Sequence, residues 1–433
     1  MPPPKSFEPK IEFEQIPFMH WGIISHFNFS NLRNVPVKRW DPLSSTALEF
    51  STMKQYGHYT YISPVRAERV DQYKTRQERP VEPHPDFIDA FKGTLDGRDY
   101  FDEYGKKIGD AFSITICDGE NRVDEPFSVD PRIRQTHERA ITFINKYPAM
   151  VRVIEPEIKT YIERLLEENS KLAYGVNLIT TSREYGENLA QLGPANTKAL
   201  FKSLFAGIKY VVEESNKKGI LLIPVSPFFN IGHKVGGSVP RLHAQAYIDL
   251  SQDGHGARME NMLKSFGAMQ KSGNCHLCNS THDDGRRAIE RSDYWLLFAT
   301  GSPIRNFHLR LTPRAHVQRF DDLSEEQLED LSNFLPNISK ALNAEGVEPN
   351  RNVILNTCPY GYHSYFHIFL DIIPYETVGG AEMADDMRVI RTSPHVVAEQ
   401  MRKAMKRVHD ADDAQFLQAS TEPEQGMDQA ESR

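Results

Sequence analysis

Two cysteines separated by two residues are the most specific chemical signal in this sequence. Cys275 and Cys278 lie in the segment GNCHLCNS. Their spacing is typical of a structural zinc site or of a redox-active pair. A redox pair normally lies at the start of a helix beside a βαβ unit, and no such pattern follows these cysteines. The spacing therefore favours zinc.

Two further ligands would complete a tetrahedral zinc site, and later histidines are candidates. His316 follows an expected strand, and His363 and His367 are four residues apart in YHSYFHIF. On a strand, residues at this spacing project from the same face. We expect one structural site formed by Cys275, Cys278, His316 and His363, with His367 as the alternative fourth ligand. The competing interpretation is two buried thiols and unrelated histidines.

A single histidine in the segment VGGSVPRLHAQAYIDL, residues 235–250, is the second candidate for chemistry. His243 lies between a glycine-rich turn and an alternating apolar run that predicts a strand. A histidine in this setting serves as a packed core residue, a metal ligand or a nucleophile. The segment alone leaves these three interpretations open.

Composition limits the functions open to the chain. Its 433 residues allow two or three domains, and 39% apolar with 25% charged residues is typical of a globular protein. The formal net charge of −8, without a strongly basic block, argues against nucleic-acid binding. Four cysteines do not make a disulfide framework, and neither a secretory signal nor a membrane-spanning run is visible. We therefore expect a cytoplasmic protein without nucleic-acid or membrane partners.

Helical periodicity identifies the elements that must position these residues. Residues 194–215 and 323–344 each present one apolar face, and the second begins with the S-x-x-Q spacing of a capping box. Pro336 is expected to kink that second helix. A third helix is expected to start at Pro394.

Short β-rich segments surround these helices, and their order repeats once before residue 250 and once after residue 275. We therefore expect an α+β fold of two similar halves, each an antiparallel sheet backed by helices. The expected organisation is an N-terminal arm (1–54), a first domain (55–255) with an insertion at about 70–138, a second domain (270–409) and a disordered acidic tail (410–433).

Six segments resemble a known family. ISPVRAERV, AITFINKYPA, GGSVPRLHAQAYI, CHLC, FHLRLTPRAHV and YFHIFLDIIP occur in the order seen in galactose-1-phosphate uridylyltransferases of the histidine-triad (HIT) superfamily. The resemblance covers about residues 55–405 and implies two HIT-like half-barrels. It implies an enzyme that moves a nucleoside monophosphate from a nucleotide sugar to a sugar phosphate or to phosphate, through a nucleotidyl-histidine. Members commonly dimerise, so the resemblance also implies a homodimer.

The first-half motif of that family, Ser-Asn-Pro-His-Pro-His-Gly-Gln, matches residues 238–245 here. The match implies that His243 is the nucleophile and that Gln245 binds the phosphate, with Ser238 at the start of the motif. The resemblance also implies nucleotide or phosphate contacts from Arg66, Arg69, Asn145, Asn230, Gly236, Gly237 and Arg241. For Arg66 and Arg69 the competing interpretation is a solvated surface pair.

His243 suits this chemistry because a neutral imidazole is nucleophilic near pH 7 and leaves readily from phosphorus. A backbone carbonyl must fix its tautomer, and the turn at Gly236 and Gly237 is expected to supply one and to let the backbone approach a phosphate. Gln245 would lie on the same strand face and donate to an oxygen of the reacting phosphate. The competing interpretation is a buried histidine whose hydrogen bonds are satisfied.

The sequence departs from the family pattern at the first-half metal site. It has no first-half C-x-x-C, and the two histidine positions read Tyr185 and Arg241. Absence of all four ligands indicates the coherent loss of one site. Arg241 then either adds positive charge or fills the vacated position. The sugar-contacting segment TVGGAEMADD retains only Glu382, so the resemblance does not fix galactose as the sugar.

Two other functions stay open at this point. A degenerate repeat pair would give a non-catalytic scaffold that binds nucleotides without turnover. The same histidine would also serve a hydrolase or phosphorylase of dinucleoside polyphosphates, distinguished by its acceptor. The nucleobase is not identified by any residue in the sequence.

Overall fold

The computed structural model describes residues 139–145, 149–150, 170–252, 255–278, 285–385 and 388–421, together with six short strands before residue 117. The strands are β1 Lys10–Ile11, β2 Val37–Asp41, β3 His58–Ile62, β4 Tyr100–Phe101, β5 Lys107–Gly109, β6 Ser113–Ile116, β7 Ala140–Ile144, β8 Ser170–Leu172, β9 Gly175–Ser182, β10 Val225–Ile231, β11 His243–Asp249, β12 Ala288–Arg291, β13 Trp295–Ala299, β14 Leu309–Pro313, β15 Arg351–Asn356 and β16 Phe369–Pro374.

Eleven of the described strands form one antiparallel sheet in the order β1–β6–β7–β9–β11–β10–β15–β16–β14–β13–β12. The two expected halves meet at β10 and β15, where Asn230 lies opposite Asn352. The predicted α+β class is confirmed. The two predicted half-sheets are parts of one continuous sheet, because β10 of the first half pairs with β15 of the second half.

Helices cover one face of this sheet. The described helices are α1 Leu189–Leu192, α2 Pro194–Asn216, α3 Ala257–Ser272, α4 Glu325–Ala344, α5 Gly380–Asp385 and α6 Pro394–Thr421. Helices α2, α4 and α6 share one apolar core with the sheet. Alternation along β11 sends Ala244, Ala246 and Ile248 into that core. His243 and Gln245 therefore face the opposite side.

The predicted helices are present. Helix α4 begins with a capping box between Ser324 and Gln327 and contains Pro336 within its helical span. Helix α6 begins at Pro394, as expected, but it continues to Thr421. Residues 410–421 are therefore helical, which corrects the predicted boundary of the disordered tail. Within the described residues, every helix is too short or too polar to cross a lipid bilayer.

Helix α3 packs on the other face of the sheet, over the second half. A separate apolar cluster joins Phe266 of this helix to Phe298, Phe366 and Phe369. The strand expected to carry His363 and His367 begins only at Phe369, so both histidines precede it. The two histidine side chains therefore need not project from the same face, as they would on a strand.

Hydrogen bonds that recur between the halves establish which residues are equivalent. Three backbone N–H to O=C hydrogen bonds of the first half have a counterpart in the second half. In the first half they join Arg183 to Arg139 (2.7 Å), Asn145 to Asn177 (2.8 Å) and Asp249 to Pro224 (3.0 Å). Their counterparts, in the same order, join Arg314 to Tyr294 (2.8 Å), Thr300 to His308 (3.1 Å) and Tyr375 to Asn350 (2.8 Å). A side-chain bond recurs as well, with Thr181 Oγ1 donating to Leu242 O (3.1 Å) and Thr312 Oγ1 donating to Ile368 O (3.0 Å). The two halves are therefore related residue by residue across the β10–β15 junction.

Candidate active site and metal site

His243 is the first residue of β11 and is only 4% exposed. Its Nδ1 lies 2.8 Å from the Arg241 carbonyl oxygen. A carbonyl only accepts, so Nδ1 carries the proton and Nε2 carries the lone pair. The carbonyl that fixes the tautomer therefore belongs to Arg241, and the expectation that Gly236 or Gly237 supplies it is wrong. The reason is local: Arg241 lies two residues before the histidine, within reach of its own strand.

Gln245 lies on the same face of β11 as His243. Its Nε2 is 3.5 Å from His243 Nε2. In the register of the sheet, Gln245 lies opposite Ile179 of β9 and Phe228 of β10. The Gln245 amide is thus held beside Nε2 of His243, where it would contact a group attached to that nitrogen.

The glycine-rich turn before the motif needs glycine at two positions, one for its backbone conformation and one for lack of space. Gly236 has a φ of +89°, which favours glycine. A Cβ on Gly237 would lie 2.6 Å from the Gly232 carbonyl oxygen. Ser238 follows this turn and is partly buried. The turn is therefore closely packed and leads directly into the motif.

Asparagines from the second half hold this turn, and the sequence reasoning missed them. Asn352 Nδ2 donates to Asn230 Oδ1 at 2.8 Å and lies 3.4 Å from the Val235 carbonyl oxygen. Asn350 Oδ1 accepts from the backbone N–H of Lys234 at 3.0 Å. The sequence signal was one asparagine just before the strand segment RNVILNT and one within it, Asn350 and Asn352. Their role depends on the β10–β15 junction, which no local pattern reveals.

The Arg241 guanidinium is buried and binds the end of β9. It donates to the carbonyls of Ser182 and Arg183, at 2.6 Å each, and to Thr181 Oγ1 at 3.2 Å. It also lies 5.9 Å from the centre of the Tyr185 ring. These contacts support the interpretation that Arg241 fills the vacated metal position. They tie the strand that begins with His243 to its neighbour.

Four side chains of the second half converge on one point: Cys275, Cys278, His316 and His367. Their ligand atoms all lie within 4.8 Å of one another. His367 Nδ1 is 3.4 Å from both sulfur atoms, and His316 Nδ1 is 3.4 Å from Cys278 Sγ. A tetrahedral zinc site has ligand-to-ligand edges of roughly 3.3–3.8 Å. The donor set and its spacing therefore fit a metal ion of this kind.

The protonation states also fit a metal. His367 Nε2 donates to the Pro313 carbonyl at 3.0 Å, which directs the lone pair of Nδ1 toward the cysteines. Burial, with a smaller effect of His316, lowers the pKa of His367 to about 4 and keeps it neutral. Burial, with the neighbouring Cys275, raises the pKa of Cys278 to about 12. A thiolate at Cys278 therefore needs a bound cation to stabilise it.

The fourth member of this group is His367, and His363 does not belong to it. The prediction that placed His363 first relied on a strand through both histidines. Because the segment is not a strand there, only His367 is directed at the cysteines.

The other predicted site residues make contacts of their own or lie outside the described residues. Arg66 and Arg69 fall outside the described residues. Asn145 is buried just after β7, and its backbone N–H bonds Asn177 of β9. Glu382 of α5 is bound by Arg305 Nη1, at 3.0 and 3.2 Å, and lies 3.3 Å from Arg388 Nη1. Its predicted sugar contact stays a prediction.

Comparisons with known proteins identify the class of fold. Residues 284–378 match the model of the HIT domain family. That range lies in the second half and contains β12–β16 and two of the four candidate metal ligands, His316 and His367. The HIT-like class of fold predicted from the sequence is therefore confirmed. The antiparallel strands and helices described above belong to this fold.

Several solved structures share the fold of this chain. A uridylyltransferase structure is 19% identical with a TM-score of 0.54, over 62% of this chain and 85% of that chain. A GalT-like protein from Arabidopsis thaliana is 20% identical with a TM-score of 0.51, over 63% and 85%. An ADP-glucose phosphorylase from Arabidopsis thaliana, solved with bound ADP-glucose, is 19% identical with a TM-score of 0.54, over 85% and 98%. The chain has the fold of the uridylyltransferase-like HIT proteins, a fold on which nucleotidyltransferase-type enzymes are built.

Proposed function

We propose that this protein is a nucleotidyltransferase that moves a nucleoside monophosphate from a nucleotide sugar to a sugar phosphate or to inorganic phosphate. One observation carries the proposal. The Arg241 carbonyl holds His243 in the tautomer whose Nε2 is nucleophilic, and the Gln245 amide lies 3.5 Å from that nitrogen. The same hydrogen bonds would satisfy a buried core histidine, so the covalent adduct is what separates the two interpretations.

The chemistry proceeds in two displacements. Nε2 of His243 attacks the α-phosphorus, a P–N bond forms, and the P–O bond to the departing sugar phosphate breaks. The imidazole becomes cationic, and the hydrogen bond from Nδ1–H to the Arg241 carbonyl stabilises that charge. An oxygen of the acceptor phosphate then attacks phosphorus and the P–N bond breaks. Gln245 donates to a non-bridging oxygen in both steps.

The proposal includes one structural zinc ion bound by Cys275, Cys278, His316 and His367. It supplies no step of the reaction. Its contribution is to hold the segment after α3 against the strand end at Pro313 and the segment before β16. The homodimer implied by the family resemblance also stays a prediction, which sedimentation velocity checks directly.

The test of the proposal is direct detection of the covalent intermediate. The folded, zinc-loaded protein is incubated with UDP-glucose, ADP-glucose and GDP-mannose in turn. Each reaction is quenched in alkali, and the mass of the intact protein is measured by mass spectrometry. We expect one nucleoside monophosphate adduct that is stable to base, labile to acid and absent from His243→Ala. His409→Ala is the matched control, because His409 is an exposed histidine on α6 that pairs with Glu290.

The outcomes separate the competing functions. An adduct that is discharged by a sugar phosphate or by phosphate supports the proposal and identifies the nucleobase. An adduct formed from a dinucleoside polyphosphate and discharged by water indicates a hydrolase. No adduct with any of these donors, in protein that still binds nucleotide, indicates a non-catalytic binding protein.

A further inference from the structure

A cavity lies on the same side of the sheet as His243, between helix α3 and the strands of the second half. Its volume is 680 Å³, within the range of small-molecule sites. One wall is aromatic, formed by Phe266, Phe298 and Phe369. Another part of the lining carries three guanidinium groups, from Arg258, Arg287 and Arg310. This combination suits a ligand with a flat ring and an anionic group.

The sheet register places the cavity at the repeat counterpart of the candidate active site. The recurring hydrogen bonds make Thr300 the equivalent of Asn145, and both side chains follow the same strand of their half. In the same way Phe369 is the equivalent of His243, and Asp371 of Gln245. The cavity of the second half therefore has a phenyl ring at the position that His243 occupies in the first half.

The cavity has an excess of positive charge. Asp371 is buried and binds two of the arginines, with Oδ1 2.8 Å from Arg310 Nε and Oδ2 3.0 Å from Arg258 Nη2. Arg258 and Arg310 share the one carboxylate of Asp371, which leaves a formal charge of +1 on this group, histidines not counted (2 − 1 = 1). Arg310 also stacks on the Phe369 ring, with its Cζ 4.3 Å from the ring centre. Anionic ligands are favoured accordingly.

A buried hydroxyl marks the anion-binding end. Thr300 is only 6% exposed, and within the described part of the chain its Oγ1 has no hydrogen-bond partner. The next residue, Gly301, lets Arg287 lie against this turn, because a Cβ there would be 3.0 Å from Arg287 Nη1. A buried hydroxyl without a partner is unfavourable. A phosphate oxygen beside Arg287 would supply the missing acceptor.

We propose that this cavity binds a nucleoside phosphate without reacting with it. The base lies against the aromatic wall and the phosphate is bound by Thr300 and Arg287, with Arg258 close to it. Phe369 offers no nucleophile, so no covalent adduct forms there. The proposal does not depend on the activity assigned to His243, because it rests on a separate set of side chains.

The experiment measures binding of radiolabelled ADP to the full chain by equilibrium dialysis, with tripolyphosphate as the competitor that lacks a ring. In addition to any ADP bound at the His243 site, we expect one equivalent of ADP whose binding is lost in Thr300→Val and kept in Thr300→Ser and His243→Ala. Thr300→Val is expected to fold normally, since it removes only a hydroxyl without a partner. Thermal unfolding of each variant verifies this point.

The arginines provide an independent check with a matched control. The double variant Arg258→Gln, Arg287→Gln is expected to weaken that equivalent at least about tenfold. Arg407→Gln is expected to leave it unchanged, because Arg407 is on α6 and, like Arg258, is 55% exposed in an ion pair. ADP binding that is indifferent to both the Thr300 and the arginine changes overturns the proposal. Equal affinity for tripolyphosphate overturns the assignment of the ring to the aromatic wall.

Discussion

Arg241 and His367 occupy the same position in the two halves and make the same contacts with different chemistry. Arg241 donates to the Ser182 carbonyl and to Thr181 Oγ1, at 2.6 and 3.2 Å. His367 Nε2 lies 3.0 and 3.3 Å from the equivalent atoms of Pro313 and Thr312. Tyr185, beside Arg241, is likewise the counterpart of the metal-site residue His316. In the first half a permanent cation therefore ties the strands where the second half has a candidate metal site.

Replacing Arg241 should damage both stability and catalysis. Arg241→Met leaves the carbonyls of Ser182 and Arg183 without their donor, so we expect the free energy of unfolding to fall by about 1–3 kcal/mol. The rate of adduct formation should fall as well, since the Arg241 carbonyl orients His243. Arg241→Lys keeps the charge but not the forked geometry and should recover only part of either loss. Urea unfolding and adduct kinetics measure the two effects. Unchanged values for Arg241→Met would contradict the structural role.

Gln245 should affect the rate of the chemical step and leave folding unchanged. Gln245→Glu preserves the shape of the side chain but replaces the N–H donor with a second acceptor and adds repulsion toward phosphate. We expect adduct formation to slow by about 100-fold or more, the usual effect of removing one donor to a developing oxyanion. Rapid-quench measurement of the adduct checks this value, with the melting temperature as the folding control. A loss confined to nucleotide affinity would show that Gln245 acts only in binding.

The sequence predicted the features that depend on local patterns, but it did not predict the contacts that cross the junction of the two halves. The cysteine pair was identified from its local spacing and the long helices from their apolar period, whereas the roles of His243 and Gln245 came from the family resemblance and stay predictions. The fourth metal-site residue was ambiguous because a four-residue spacing has a meaning only if a strand is present, and the strand begins at Phe369. Asn350 and Asn352 were missed because their partners lie more than a hundred residues away, across the junction of the halves.

The same junction makes Asn352 a positioning residue for the first-half turn. Asn352→Leu removes the donor to Asn230 Oδ1 at similar side-chain size, so the turn before Ser238 should loosen. We expect the KM for the nucleotide sugar to rise about tenfold, as expected for the loss of one hydrogen bond, with a smaller change in kcat. Asn333→Leu, an exposed asparagine of α4, serves as the control. A change in kcat alone would place Asn352 in another role.

The metal site should make stability depend on pH below neutrality. The pKa of His367 is about 4 in the folded chain and 6.5 without burial, so between these values the unfolded state binds a proton that the folded state does not. Stability therefore falls as the pH is lowered through this window. In metal-free protein we expect a loss of about 2 kcal/mol between pH 7 and pH 5. Urea unfolding in the presence of a chelator measures this loss.

The two histidines that the sequence left as alternatives provide the discriminating variants for the metal site. His367→Ala should lose bound zinc and most of the pH dependence, because it removes the group that titrates. His363→Ala should retain one equivalent of zinc and the full pH dependence, since His363 lies outside the cluster. Metal analysis of the two purified variants, followed by urea unfolding at pH 7 and pH 5, measures both properties. Zinc retained in His367→Ala and lost in His363→Ala would reverse the assignment of the fourth ligand.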